Sequence, residues 1–511
     1  MAEPRTLAVI DLGSNSFRLV VFTYRERWWR RTDEIHEIVR IGEGLDATGE
    51  LQPKPMERAL ETLEMYAHFC RATGVEEVRP VATSAIRDAG NQAAFLDAAR
   101  RRSGLEVEVL VPEQEAFYGY LAAINSTALR DGVVLDLGGG SIQLCAVRDR
   151  RGQDMRSWPL GAVRMTERFL SADPVKPKHL KALRAHVAEA LGELPWLGGQ
   201  LVGIGGTTRN LAAAAELQAQ LPSFGVQGFQ LQRDTLDALV ERLARLPAAD
   251  RAKVPGIKVG RADLILAGAV VVQSVMELGG FDSLEATEAG LREGVFFASL
   301  LADREPPLFA DVRRASVRNL AARYGADDAH AAQVARIALE IWDELAGAGV
   351  HPGDRCEREL LEAAAALHDI GVSIDYDDHH KHSRYLVLSA GLPGYSPRET
   401  ALIGQMCRYH RKGSPALGEA TGLARKGDLE LLERCSATLR IAEQLERSRD
   451  QAVDGIGLRV RGGVARLKVR AHDDVTVGRW AAQRQRDIFQ EAFGLELEVS
   501  ESSARTRPVR P

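Results

Sequence analysis

The chain has 511 residues, 45% of them hydrophobic and 27% charged, with a formal net charge of -5. These are values of a soluble globular protein of roughly three or four domains, and so small a charge excludes a global pull toward nucleic acid or membrane. Contacts with a polyanion would have to be local.

The elements alternate from the start. Leu7–Ile10 and Phe17–Tyr24 are apolar, β-favouring runs around a Gly/Ser/Asn turn, which predicts a hairpin, and Glu34–Ile41 is a candidate third strand. Pro55–Ala72 carries Met56, Leu60, Leu63, Ala67 and Cys70 at helical spacing. A strand at Val78–Ala82, a helix over Gln92–Arg102, a strand at Val107–Val111 and a helix from Glu113 follow. The pattern then restarts, with strands Gly132–Asp136, Ile142–Val147 and Leu201–Ile204, and a helix from Arg209. Strand–Asp-Leu-Gly–turn–strand thus occurs twice, which suggests a duplicated α/β unit. The apolar run within Leu264–Met276 reads as a core helix, far short of the ~20 residues that span a bilayer.

Beyond the linker-like ADREPPLF the strands stop, and Asp311 to about Gln451 is helix-patterned, as in Ala331–Leu345 and Glu357–Leu367. Strands return at Gly457–Arg461, Val464–Arg470 and Glu496–Val499, around a helix near Trp480–Phe493. The expected domains are 1–125, 126–303, 304–451 and 452–500, with a disordered tail at 501–511. The five cysteines (Cys70, Cys145, Cys356, Cys407, Cys435) are scattered without a CxxC, which argues against disulfides and zinc and for a reducing compartment. The N-terminus has no long apolar region of a signal peptide; the expected location is the cytoplasm.

Three turns point to phosphate chemistry. In Asp136-Leu137-Gly138-Gly139-Gly140-Ser141 a strand end delivers a carboxylate, the glycines let backbone N–H groups close on an anion, and Ser141 adds a hydroxyl. Asp11-Leu12-Gly13-Ser14-Asn15-Ser16 offers the same with more side chains, and Gly205-Gly206-Thr207 precedes a helix N-terminus, itself an anion site. Trp28-Trp29 beside Arg25, Arg27, Arg30 and Arg31 reads as a hairpin turn with its tryptophans packed on a neighbour.

With DLGSNSFRLVV (11–21), GEGL (42–45), VATSAIRDAGN (81–91), Glu115-Ala116, DLGGGS (136–141), GIGGTTRN (203–210), GRADLI (260–265) and GLREGV (290–295), the chain resembles the exopolyphosphatase / guanosine pentaphosphate phosphohydrolase family. The resemblance implies two RNase H-like lobes of the actin/sugar-kinase/Hsp70 superfold around a cleft. It implies Mg²⁺-dependent release of terminal phosphate from inorganic polyphosphate, with pppGpp the alternative substrate, and a homodimer. Carried over residue by residue, the catalytic carboxylate is Glu115, which orients or deprotonates the attacking water. Asp11 and Asp136 would hold Mg²⁺, with Mn²⁺ as the substitute. Phosphate contacts would come from Ser14, Asn15, Ser16, Arg87, Gly138, Gly139, Gly140, Ser141, Gly205, Gly206 and Thr207; Arg261 and Arg292 read as ion-pair partners. The family often carries Glu where this chain has Gln143, an amide that cannot take a proton; Glu115 alone is expected to suffice. A binding protein with weakened catalysis, and a kinase of the same superfold, are the other readings.

In the helical region, Leu367-His368-Asp369-Ile370-Gly371, with His330 upstream, resembles the HD superfamily of metal phosphohydrolases, which implies a second metal site of His330, His368, Asp369 and Glu443, the last standing where the superfamily has Asp. His379-His380-Lys381-His382 reads as a solvated loop, or as part of a basic channel with Arg384, Arg408, His410, Arg411 and Lys412.

Overall fold

The computed structural model describes residues 3–170, 172–196 and 198–501. The expected tail therefore lies outside the described residues, apart from Glu501. The chain divides into two compact units, Met1–Arg313 and Arg314–Pro511.

The first unit is mixed α/β with two sheets. One contains β1 (Arg5–Leu12), β2 (Phe17–Arg25), β3 (Trp28–Glu37), β4 (Glu77–Ala82) and β5 (Glu108–Val109), in the order β3-β2-β1-β4-β5. β1 and β2 form the expected hairpin, and β4 and β5 run parallel to β1. The other contains β6 (Gly132–Leu137), β7 (Ile142–Arg148), β8 (Arg151–Trp158), β9 (Gln200–Ile204), β10 (Phe229–Gln232) and β11 (Ser283–Ala286), in the order β10-β11-β9-β6-β7-β8. Read from β8, its first five strands repeat the order and directions of the first sheet, and β10 is added antiparallel at the far edge. Leu7 to Ile10 in β1 are all fully buried, as expected of a central strand covered on both faces. The two Asp-Leu-Gly motifs end β1 and β6, the centre of each sheet.

Two helices tie the sheets together. Pro112–Ile124 leaves β5 but packs its Tyr120, Leu121 and Ile124 with Val134, Cys145 and Val202 of the second sheet. Leu291–Leu300 returns, stacking Phe296 on Phe22 of β2 with ring centres 4.2 Å apart. They cross where Gly294 meets the Tyr118 backbone; a Cβ there would overlap the Tyr118 carbonyl. Trp29 lies in β3 rather than in a turn, and stacks on Phe309 at 4.9 Å.

The second unit is helical from Val312–Arg323 to Asp428–Leu445, then adds β12 (Val453–Arg461), β13 (Val464–Ala471) and β14 (Glu496–Glu501). The sequence separates 304–451 from 452–500, yet Leu458, Leu467, Val469 and Phe489 belong to the same buried cluster as Trp342, Leu361 and Leu432. Apolar faces of the sheet serve as the partner surface of the helices, so both share one core.

Candidate active site

Two strand ends and a helix start bring three carboxylates, Asp11, Asp136 and Glu115, to a cleft of about 110 Å³ between the two sheets. Glu115 sits in the first turn of its helix and is 6% exposed. Its Oε2 accepts a hydrogen bond from Arg87 Nη1 at 2.7 Å. Burial raises the Glu115 carboxyl above its ordinary range, against the pull of that guanidinium. Asp136 is pushed up to about 7 by burial and by the neighbouring Glu115 and Asp11 carboxylates. Burial likewise raises Asp11, although Arg292 Nη1 lies 3.1 Å from its Oδ2.

Four arginines, Arg18, Arg209, Arg261 and Arg292, line the same cleft. Burial and mutual repulsion push Arg209 and Arg261 down to about 10, still protonated at neutral pH. Buried Arg292 Nε has no hydrogen-bond partner. Arg209 Nη1 donates to the Glu288 carbonyl at 2.6 Å. Arg261 lies over Gly206, where a Cβ would overlap its guanidinium. Gly205 adopts φ +92°, a conformation that favours glycine, and starts the Gly206–Gln218 helix without a side-chain cap, leaving its first N–H groups directed at the cleft. Crowded positive charge and uncapped N–H donors in one place suit a phosphate-bearing ligand.

Ser14, Asn15, Ser16, Gly138, Gly139, Gly205 and Gly206 line the cleft. The two Asp-Leu-Gly turns abut: Cβ atoms at Gly139 or Gly140 would press on Ser14 and Ser84. The GEGL segment braces the first turn, Gly42 N donating to the Ser14 carbonyl at 3.0 Å. Arg87 does not line the cleft; it is held on Glu115 and on the Leu110 carbonyl, 2.9 Å away. Ser141 and Thr207 are buried beneath their turns, at 3% and 2% exposure, and Gly140 faces a neighbouring pocket. Gln143 lies across the ladder from Asp136 and donates to Ser141 Oγ and Ser157 Oγ at 2.8 and 3.1 Å. Sequence reasoning missed Arg18, Thr83, Ser84 and Arg209 as cleft residues. Arg18 and Arg209 stand within quoted motifs, but nothing local marks an arginine as converging with three others.

In the second unit His330, His368 and Asp369 come together, and the Glu443 carboxylate lies outside that tight group but near enough to feel the charges of His368 and Asp369. Its carboxylate is drawn to the Gln444 amide and to Arg447. His379 and His410 form a second group with Asp369. Residues 379–382 are not a loop: they open the His379–Ala390 helix with His379 and His380 buried, and His410 is buried too.

Among the described residues no helix is long and apolar enough to cross a membrane. The Ppx/GppA phosphatase family profile matches residues 29–303, and its domain III profile matches residues 312–476. A guanosine-5'-triphosphate,3'-diphosphate pyrophosphatase of Vibrio atlanticus is 27% identical over 459 residues, 88% of this chain and 89% of the relative. The crystal structure of the Ppx/GppA family member of Aquifex aeolicus is 30% identical, covering 59% of this chain and 99% of its own, with a TM-score of 0.51. A Cytophaga hutchinsonii exopolyphosphatase structure, 23% identical, covering 58% of this chain and 98% of its own, shares the fold with a TM-score of 0.55. A profile match over more than half its length shows that the chain belongs to the Ppx/GppA phosphatase family, enzymes that hydrolyse phosphoric anhydrides.

Proposed function

We propose that the chain is a Mg²⁺-dependent exopolyphosphatase, releasing terminal orthophosphate from inorganic polyphosphate by attack of water. One observation carries this reading: three carboxylates, Glu115 buried and Asp11 and Asp136 half-buried, and four arginines line the same cleft. The arginines suit consecutive phosphates of a linear polyanion, and the carboxylates suit a base and a metal. No aromatic ring lines the cleft among the described residues, so nothing there would stack on a nucleobase.

Arg87 engages Oε2 of Glu115, leaving Oε1 to accept the proton of the attacking water. As the water oxygen bonds to the terminal phosphorus, the bridging P–O bond breaks and orthophosphate leaves. Arg18, Arg209 and Arg261 would hold the phosphate oxygens, with the N–H groups of the Gly206–Gln218 helix. Asp11 and Asp136 offer the hard oxygens that Mg²⁺ or Mn²⁺ takes beside substrate phosphates. Burial is what raises both carboxyls, against the pull of Arg292 on each. The ion, when bound, would neutralise charge on the bridging oxygen.

The shared strand order supports reading the sheets as RNase H-like lobes at 1–125 and 126–303, of the actin/sugar-kinase/Hsp70 superfold. The His-Asp pair after a helix supports reading 304–451 as HD-like. The homodimer and the cytoplasmic location belong to the same proposal. A second reading, hydrolysis of pppGpp to ppGpp, is favoured by the Vibrio relatives' name. The test is Mg²⁺-dependent phosphate release from long polyphosphate and from pppGpp at equal enzyme. Polyphosphate is expected to be the better substrate, with Glu115→Gln about 10²–10⁴-fold slower. Faster release from pppGpp selects the second reading; no release from polyphosphate of any length ends the first.

A further inference from the structure

We propose that Arg164 and Asp88 are positioning residues for the hydrolytic step: Arg164 reaches from the second sheet's side of the cleft to Asp88 on the first sheet's side, and so sets how firmly Arg87 holds Glu115. The inference rests on the reading of Glu115 as the base.

Three contacts run in series. Arg164 Nη2 donates to Asp88 Oδ2 at 2.8 Å. The other oxygen of Asp88, Oδ1, lies 3.4 Å from Arg87 Nε. Arg87 Nη1 in turn donates to Glu115 Oε2 at 2.7 Å. Each oxygen of Asp88 therefore has its own guanidinium, one that touches Glu115 and one that does not. Asp88 competes with Glu115 for the charge of Arg87, and Arg164 relieves that competition by neutralising Asp88 from the other side. The side chains of Arg164, Arg87 and Glu115 are 21%, 16% and 7% exposed, so solvent screens the series only in part.

Arg164 is also tied to the second phosphate turn. Its helix, Ala162–Phe169, starts on the back of Gly138-Gly139-Gly140: Ala162 N donates to the Gly138 carbonyl at 3.0 Å and Val163 N to the Gly139 carbonyl at 2.8 Å. The turn's carbonyls thus satisfy the first N–H groups of the helix. Gly161 packs so closely that a Cβ there would overlap the Gly139 carbonyl. Met165 anchors the same helix in the core of the second sheet. On the opposite side, Gly42 braces the first turn, and the two braces meet. Gly44 N donates to Glu167 Oε1 at 3.4 Å, and Arg164 Nη1 lies 3.8 Å from Asp46 Oδ1. As stabilising elements, such half-exposed contacts count for little. Their effect is on geometry: a shift of the second turn carries Arg164 with it and reaches Glu115 through Asp88 and Arg87.

Charge gives the two residues opposite signatures. Burial raises the Glu115 carboxyl, and the Asp88 carboxylate raises it further. Arg87, Asp11 and Asp136 also face Glu115, and substitution at 164 or 88 leaves all three in place. Removing the charge of Asp88 should lower the Glu115 carboxyl. Removing Arg164 leaves Asp88 uncompensated and should raise it. A base that deprotonates at lower pH keeps its activity to lower pH.

The test is the pH profile of kcat for Mg²⁺-dependent phosphate release by the full chain, on whichever of polyphosphate and pppGpp it takes faster. Arg164→Met should move the acid limb up and Asp88→Asn should move it down. Each should lower kcat about 10–10²-fold, with a smaller change in KM, as misplacement of a base does. Arg164→Lys keeps the charge, and should leave the limb in place and recover part of kcat. The double variant should lose no more than the worse single variant, because both break one contact. Limbs that stay put or move in the same direction overturn the proposal, as does a double variant whose losses multiply. Should Arg164→Met not fold by circular dichroism, the direction of the Asp88→Asn limb decides. Glu115→Gln separates this inference from the reading beneath it. If that variant retains kcat, the base assignment falls and the proposal with it; if it does not, unmoved limbs overturn the positioning role alone.

Discussion

On the proposed mechanism Glu115 is the base, and its strength is set by two opposed influences, its own burial and Arg87. Burial holds the carboxyl protonated to a higher pH than usual, so activity should be full above the raised value and fall as pH drops through it. Arg87→Met removes the charge and hydrogen bond that oppose burial, and should move the acid limb of kcat to higher pH. Because Arg87 is held on Glu115 and the Leu110 carbonyl and does not line the cleft, KM should change less than kcat. An unmoved acid limb with a raised KM would instead restore Arg87 to the phosphate contacts that its motif suggests. The carboxylates and glycine turns were legible because each stands in a short motif at a strand end. Arg18, Arg209, His379 and His410 were not. Their role arises from convergence of segments tens of residues apart, and a lone arginine or a histidine in a charged run carries no local mark of it. Glu443 stands near enough to feel the charges of His368 and Asp369, while Gln444 and Arg447 engage its carboxylate, a balance that sequence position alone does not show.

At the scale of elements, the helices and central strands were legible from periodicity, and the edges were not. β8 reads RGQDMRSW, polar because it is an outer strand, and β10 and β11 are four residues each, too short for alternation to show. Nor could periodicity reveal that the Glu115 helix starts from one sheet and packs on the other. That crossing rests on Gly294. Gly294→Ala drives a methyl into the Tyr118 carbonyl, one turn from Glu115. Overpacking of this kind costs about 1–3 kcal/mol, so Tm should fall by several degrees, with a loss of kcat as the Glu115 helix shifts. Gly347→Ala is the control: it ends a helix with open space around it and a helical φ, and should be neutral or slightly stabilising. Equal effects of the two substitutions would show that the crossing is not tight.

Two kinds of polar cluster lie in two separate cores. Hard carboxylates and arginines lie in Met1–Arg313, and the imidazole cluster lies in Arg314–Pro511. The doubled Asp-Leu-Gly unit was legible at this scale, because a repeated motif implies a repeated sheet. The single core behind helices and sheet in the second unit was not, since a change of periodicity looks like a boundary even where both sides bury one cluster. Separate cores should unfold as separate calorimetric transitions, and each should respond only to its own ligand. A ligand at 100 times its Kd stabilises the unit that binds it by about 2.7 kcal/mol. On the HD-like reading, Co²⁺ added in excess Mg²⁺ should therefore raise one transition and leave the other in place. Polyphosphate with Mg²⁺, added to the Glu115→Gln chain so that it is not consumed, should raise the second alone. Asp369→Asn should abolish the Co²⁺ response while the polyphosphate response persists. If both transitions move with either ligand, the two cores fold as one and the division of chemistry between them is wrong.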